Sequence, residues 1–341
     1  MQQVVIPKIG PPSVLEVRES EDPTPGPGEV RIRVEAAGIN FADLMARIGV
    51  YPDAPPMPSV VGYEVAGDID MVGEGVDASR VGQPVLAATK FGGYSSHLVV
   101  KSTQAILRPE GLDAQAGASL VVTGLTAWMM CEEMGRVRAG DRVLVHSAGG
   151  GVGLVACDLI KWRGGIAVGT ASGMKHDFLK EWGYDELVDY RTEDFYEALK
   201  DGPGFDLALD PVGGESWKKS FDLLKTGGRM VAFGFSANAA GDRRSVFKTL
   251  GNLSKTPWLL FNPIRVINEN KGVMGVNMGR MWQEEARLVG WLEQLIELWK
   301  QGKLRTHVHA ALPFSRAAEA HSLIHDRQNF GKVLLVPDAF A

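Results

Sequence analysis

Residues 143–153 read VLVHSAGGGVG, a β-branched run that ends in four glycines and an alanine. Small residues at that spacing let backbone N–H groups close on an anion. An apolar run suited to a helix follows at residues 154–162, and a helix N-terminus adds partial positive charge. The chemistry on offer is the binding of a dinucleotide pyrophosphate. Ala148 makes the tight turn, Gly150 lets the backbone approach the phosphates and Gly153 lets helix and strand pack. Gly149, Gly151 and Val152 complete the cradle.

A second group of residues bears on which dinucleotide is bound. A carboxylate at the end of the second strand would bond a ribose 2′-hydroxyl and repel a 2′-phosphate. Residues 170–175 read TASGMK, without a carboxylate. Ser172 supplies a hydrogen-bond donor and Lys175 a positive charge, so the expected cofactor is NADPH.

Metal chemistry has little to work with. Cys131 and Cys157 are the two cysteines, too few for a four-thiolate zinc site or a disulfide framework. His97 and His146 stand alone in the sequence, so no metal is expected. The net charge of -5 gives no footprint for nucleic acid. The N-terminus lacks a basic flank with a long apolar run, and no apolar stretch reads as long enough to cross a bilayer. The expected setting is therefore the cytoplasm, with no transmembrane segment.

These residues need a frame to hold them. The first hundred or so residues alternate β-rich runs with Pro/Gly turns, with strands expected at 30–36, 60–72, 83–88 and 95–100, a barrel-like pattern. Helices are expected at 113–120 and 124–134. From residue 143 the rhythm becomes βαβ, with strands at 143–146, 166–170, 187–189, 205–210, 229–233 and 272–276. Helical patterns lie between most of them, at 154–162, 175–182, 194–200 and 216–224. A parallel return needs a crossover, so the pattern predicts a doubly wound parallel sheet. Residues 282–301 read as an amphipathic helix. Residues 332–336, KVLLV, read as a buried strand that rejoins the N-terminal part. The apolar run 256–263, TPWLLFNP, is either the roof of a hydrophobic pocket or a packed helix.

Six blocks, in order along nearly the whole chain, resemble the zinc-independent quinone oxidoreductase branch of the medium-chain dehydrogenase/reductase superfamily. They are AAGINFAD at 36–43, GYEVAG at 62–67, TGLTA at 123–127, the glycine-rich turn, DPVGG at 210–214 and FGKVLL at 330–335. Within the branch, GTAS at 169–172 and GKVLLVP at 331–337 are similar to the vesicle amine transport protein 1 homologues. The resemblance implies an α/β fold: a GroES-like catalytic domain from residues 1–122 and 277–341, and a Rossmann domain over 123–276.

The resemblance also implies roles. Asn40 and Thr126 lie near the nicotinamide, and Tyr190 lines the 2′-phosphate. Phe233 and Gly234 approach the ribose or nicotinamide, and Val276 and Asn277 pass the carboxamide. Asn329 and Lys332 close over the cofactor. Zinc-dependent members carry a cysteine and a histidine where this chain has Asn40 and Tyr63, which are poor zinc ligands. Without that Lewis acid, an activated electrophile is the better hydride acceptor: a quinone or an α,β-unsaturated carbonyl. Charge then develops on the substrate oxygen, and hydrogen-bond donors aimed there supply the catalysis. Tyr51 is the first candidate for that donor, with Tyr63 and Asn40 beside it. Two alternatives stay open: an NADPH-binding regulatory or vesicle-associated protein with little turnover, and an enoyl-thioester reductase. The family implies a homodimer joined along the sixth strands, at 272–276.

Overall fold

The computed structural model describes residues 1–236 and 262–340. Its frame is a six-stranded sheet made of β1 (Arg142–His146), β2 (Ile166–Ala171), β3 (Glu186–Asp189), β4 (Phe205–Asp210), β5 (Leu224–Ala232) and β6 (Gly272–Gly275). The spatial order is β3-β2-β1-β4-β5-β6, and every pairing is parallel. This is the doubly wound Rossmann order that the βαβ rhythm predicts. Its direction reverses between β1 and β4, where ligands bind beyond the carboxyl ends of the strands.

A second, seven-stranded sheet carries the GroES-like part. It is built from Glu29–Gly38, Glu64–Val72, Pro84–Ala88, His97–Lys101 and Ile106–Leu107, joined by Val308–Pro313 and Lys332–Val336. Leu334 and Leu335 pair antiparallel with Gly38 and Ala37. The C-terminal tail thus rejoins the N-terminal sheet, as its apolar run predicts. The strand expected from residue 60 begins only at Glu64, because the chain turns at Gly62, whose φ is +96°.

The two helices expected at 113–120 and 124–134 are one continuous element. Ala114–Trp128 runs straight into a π-helical stretch, Met129–Met134. Asp113 caps it by accepting the Ala116 N–H at 2.7 Å. Gly124 is no breaker here but a packing contact: a Cβ there would lie 2.9 Å from Leu295 Cδ1. By length and composition Ala114–Met134 would suffice to cross a membrane, which corrects the expectation that no stretch is long enough. In this fold 78% of that window is buried, packed against the helices Gly151–Trp162 and Glu285–Lys300. Of the apolar run 256–263, only Asn262 and Pro263 fall within the described residues. They open the helix Pro263–Glu269.

Candidate active site

β1 delivers the chain into the glycine-rich turn at the point where the sheet reverses. The Ser147 carbonyl accepts the Gly150 N–H at 2.9 Å, and Gly150 caps the helix Gly151–Trp162. Gly153 has no room for a side chain, since a Cβ there would lie 2.5 Å from the Ala148 carbonyl oxygen. Ala148, Gly149, Gly150, Gly151 and Val152 therefore form one tight cradle at a helix N-terminus.

A C-terminal strap crosses this cradle. Gly331 donates its N–H to the Gly149 carbonyl at 2.8 Å, and Asn329 Nδ2 donates to the Gly331 carbonyl at 2.7 Å. At one end of the strap, Lys175 Nζ donates to the Asn329 carbonyl. At the other end, Lys332 Nζ donates to Asn40 Oδ1 at 2.7 Å. The strap thus links two groups of candidate residues.

The first group lies beyond β2. Ser172 is buried, and its carbonyl accepts the Lys175 N–H at 2.9 Å. The Lys175 stem packs on Gly149, where a Cβ would meet Cδ at 2.8 Å. Its ammonium lies 5.1 Å from the centre of the Phe330 ring. Burial lowers the Lys175 pKa to about 8, and the charges of Arg191 and Arg327 push the same way. Among the described residues, the charges acting on it are those of Arg191 and Arg327. The Asp189 carboxylate nearby caps its own turn, accepting the Arg191 N–H at 3.0 Å. Tyr190, next to Arg191, is partly exposed. Arg191 and Arg327 were missed in the sequence, although they neighbour Tyr190 and Asn329.

The second group is buried between the two sheets. Asn40 Nδ2 donates to Glu64 Oε1 at 2.9 Å, and Lys332 is ion-paired with the same carboxylate. Glu64 Oε2 accepts the Val122 N–H, and Thr126 donates to the Val122 carbonyl at 2.6 Å. Asp43 accepts from Asn40 N at 2.7 Å, Gly62 N at 3.0 Å and the Tyr94 hydroxyl at 3.0 Å. Burial nonetheless raises its pKa to about 7. The Tyr94 oxygen lies 3.2 Å from His321 Nε2.

Beside this polar group is an aromatic wall. Tyr63 meets Tyr51 edge-on with centroids 6.4 Å apart, stacks on Trp282 at 6.2 Å and lies 5.1 Å from Phe91. Burial raises the pKa of both phenols. The Tyr51 hydroxyl sits over Gly279, where a Cβ would be 2.6 Å away. Asp53 and Arg280 pair at 2.8 Å and tie the Tyr51 loop to the segment after β6. That segment begins with Val276, whose N–H donates to the Ala232 carbonyl at 2.9 Å, and Asn277, whose side chain caps Gly279 N at 2.9 Å. Phe233 and Gly234 follow β5, with the Phe233 N–H donating to the Asp210 carbonyl at 3.2 Å. Phe91 has no motif around it, and Trp282 is read from the sequence only as the start of the helix 282–301, which in the structure begins at Glu285.

Residues 26–111 match the profile of the alcohol dehydrogenase GroES-like domain, and residues 182–335 that of the zinc-binding dehydrogenases. The quinone oxidoreductase of Pseudomonas aeruginosa is 33% identical over 333 residues, covering 96% of this chain and 97% of that one. The chain belongs to the medium-chain dehydrogenase/reductase superfamily. It is an oxidoreductase fold of that superfamily, also similar to the human synaptic vesicle membrane protein VAT-1 homolog. That relative is 36% identical over 328 residues, covering 95% of this chain and 82% of its own length. Among solved structures, the Escherichia coli quinone oxidoreductase complexed with NADPH superposes with a TM-score of 0.86. Its identity is 28%, and it covers 99% of this chain and 100% of its own.

The side chains around Glu64 are poor partners for a zinc ion. The Glu64 carboxylate is already held by Lys332, Asn40 and Val122. Tyr63 is a phenol kept protonated by burial. Among the described residues no group of three or more His, Cys, Asp or Glu is placed to hold a metal.

Proposed function

We propose that this oxidoreductase transfers hydride from NADPH to a quinone or an α,β-unsaturated carbonyl without zinc. The observation that carries the reading is the cationic group beyond β2. Lys175, Arg191 and Arg327 lie close enough to depress the lysine pKa, beside the Ser172 hydroxyl and the glycine-rich cradle. A 2′-phosphate supplies the missing negative charge, and a ribose 2′-hydroxyl does not. The relationship to NADPH-complexed quinone oxidoreductase supports the same cofactor.

When bound, NADPH supplies the hydride. The chain supplies position and hydrogen bonds. Tyr51, Tyr63, Phe91 and Trp282 form a wall suited to a flat, apolar acceptor. Tyr51 is protonated at neutral pH, as an ordinary phenol is, and burial raises its pKa further. It therefore donates to the substrate oxygen as charge develops there. Asn40, Thr126, Val276 and Asn277 take the nicotinamide end. Ser172, Lys175, Tyr190, Arg191 and Arg327 take the phosphate end, and solvent returns the proton to the enolate. The catalytic part comprises residues 1–122 and 277–341 and the cofactor part residues 123–276. The two cysteines are free, as suits a cytoplasmic enzyme. A homodimer forms through the outer edge of β6, where Ile264 and Ile267 of the neighbouring helix stand exposed.

The human VAT-1 relative favours one further reading, an NADPH-binding vesicle-associated protein with little turnover. Fluorescence titration with NADPH and NADH, on wild type and Lys175→Ala, tests the cofactor. NADPH consumption with a panel of quinones and enones then separates the two readings. Strong NADPH preference with turnover supports the reductase. Preference without turnover supports the second reading, and equal or absent binding overturns both.

A further inference from the structure

The Asn40 side chain is gripped at both ends of its amide. Lys332 Nζ donates to Oδ1 at 2.7 Å, and Nδ2 donates to Glu64 Oε1 at 2.9 Å. An ammonium only donates and a carboxylate only accepts, so each contact selects one end of the amide. A half-turn of the amide would set its N–H₂ against the ammonium and its oxygen against the carboxylate. Lys332 and Glu64 also pair with each other and are 4% and 0% exposed. Such desolvated pairs add little net stability over apolar residues of the same shape.

The three residues come from three segments. Asn40 caps the helix Phe41–Arg47, Glu64 opens a strand of the N-terminal sheet and Lys332 opens the last strand. Gly38 leaves room for the carboxylate: a Cβ there would lie 2.1 Å from Glu64 Oε1. Lys332 directly follows Gly331, which is bonded to Gly149 in the glycine-rich turn.

We propose that Glu64 and Lys332 are positioning residues, whose buried ion pair fixes the edge that the Asn40 amide turns toward the nicotinamide. The pair couples that orientation to the strap seated on the glycine-rich turn. Lys332 then acts through Asn40 rather than by touching the cofactor. The inference rests on the NADPH reading for the ligand, but the orientation itself is a property of the chain alone.

The test is the double variant Glu64→Gln/Lys332→Met, which removes both charges and leaves no lone buried ion. A neutron crystal structure, which tells the amide oxygen from the nitrogen, reads the amide directly. The expected result is an Asn40 side chain that leaves its position or splits into several conformers. A single unchanged conformer overturns the proposal. Kinetics with NADPH and a quinone supply the second readout. Asn40→Ala and the double variant each lower kcat by about tenfold, and the triple variant loses no more than either. Additive losses overturn the proposal, because a merely structural pair would act independently of Asn40. Should the double variant fail to fold, Lys332→Arg keeps the charge and moves the donor off Oδ1, and the same two readouts apply. A wild type that binds no NADPH sinks the reductase reading instead, while the crystallographic readout still decides the amide.

Discussion

Gly331 donates its backbone N–H to the Gly149 carbonyl at 2.8 Å, which seats the C-terminal strap on the glycine-rich turn. Gly331 has φ +73°, and a Cβ there would lie 2.6 Å from the His307 carbonyl oxygen. Gly331→Ala is therefore both strained and crowded. It should cost about 1–3 kcal/mol of stability in urea unfolding. It should also weaken NADPH binding, because Asn329 and Lys332 move with the strap. Unchanged NADPH affinity in a folded variant would remove the strap from the cofactor site.

Lys175 gives a pH signature. Its pKa of about 8 is set first by burial and then by Arg191 and Arg327. A bound 2′-phosphate favours the charged form and raises that pKa, so NADPH binding takes up protons above pH 8. Affinity for NADPH should be full below about pH 8 and fall as the pH rises beyond it. NADH affinity should stay flat across the same range. Lys175→Ala should weaken NADPH by about 10- to 100-fold, the loss of one charge-assisted hydrogen bond. Calorimetry in two buffers of different ionisation enthalpy checks the proton uptake. A pH-independent NADPH affinity would rule out Lys175 as the phosphate partner.

The contrast between Gly150 and Trp282 shows what was legible in the sequence. Gly150 announces itself, because a strand, a glycine-dense turn and a helix must follow one another locally. The same holds for β1 to β6, whose β-branched runs and crossovers repeat at short range. Ser172 and Lys175 were legible because they sit at a strand end that the local pattern fixes. Trp282 acquires meaning only when the segment after β6 packs onto Tyr63, a contact between residues more than two hundred positions apart. The role of Glu64 is not legible in the sequence, since its partners Lys332 and Val122 reach it only through tertiary structure. Gly124 lowers helix propensity, yet the helix runs through it with Leu295 packed close against it.

The aromatic wall makes a separable prediction. Tyr51→Phe removes the hydroxyl over Gly279 and keeps the ring against Tyr63. It should lower kcat/KM for a quinone by about tenfold or more while leaving the NADPH Kd unchanged. Trp282→Ala removes the stacking partner of Tyr63 and should raise KM for bulky aromatic acceptors more than for small enones. Stopped-flow NADPH oxidation with both acceptor sizes checks the pair. Equal effects of Trp282→Ala on large and small acceptors would mean that the wall does not contact the substrate.

Gly38→Ala probes the space that the Glu64 carboxylate occupies, since the new methyl would lie 2.1 Å from Oε1. The carboxylate must move, and its contacts to Asn40, Lys332 and Val122 stretch together. A buried lysine left without its partner is costly, so the expected loss is about 3–5 kcal/mol. Combining Gly38→Ala with Glu64→Gln/Lys332→Met, which leaves neither buried ion alone, should recover part of that loss. Urea unfolding of both variants decides it, and no recovery would mean that steric crowding of the Glu64 side chain, not its charge, sets the cost.

Asp43 carries the last prediction, a dependence of stability on pH. Its folded pKa is about 7, against roughly 3.9 for an unfolded aspartate. Between those values the folded state binds more protons than the unfolded one. This group therefore makes stability fall as the pH rises from about 4 to 7, and its effect levels off above 7. The Tyr94 hydroxyl donates to the ionised carboxylate at 3.0 Å and so favours the charged form. Tyr94→Phe removes that donor, pushes the Asp43 pKa higher and extends the falling limb above pH 7. The variant should lose about 1.5–3 kcal/mol relative to wild type at pH 8, and less at pH 4, where the folded Asp43 is already protonated and a donor to its ionised form stabilises nothing. Urea midpoints at pH 4, 6 and 8 for both proteins measure the difference. An equal loss at all three values would assign Tyr94 a packing role only, because a packing defect does not depend on the charge of Asp43.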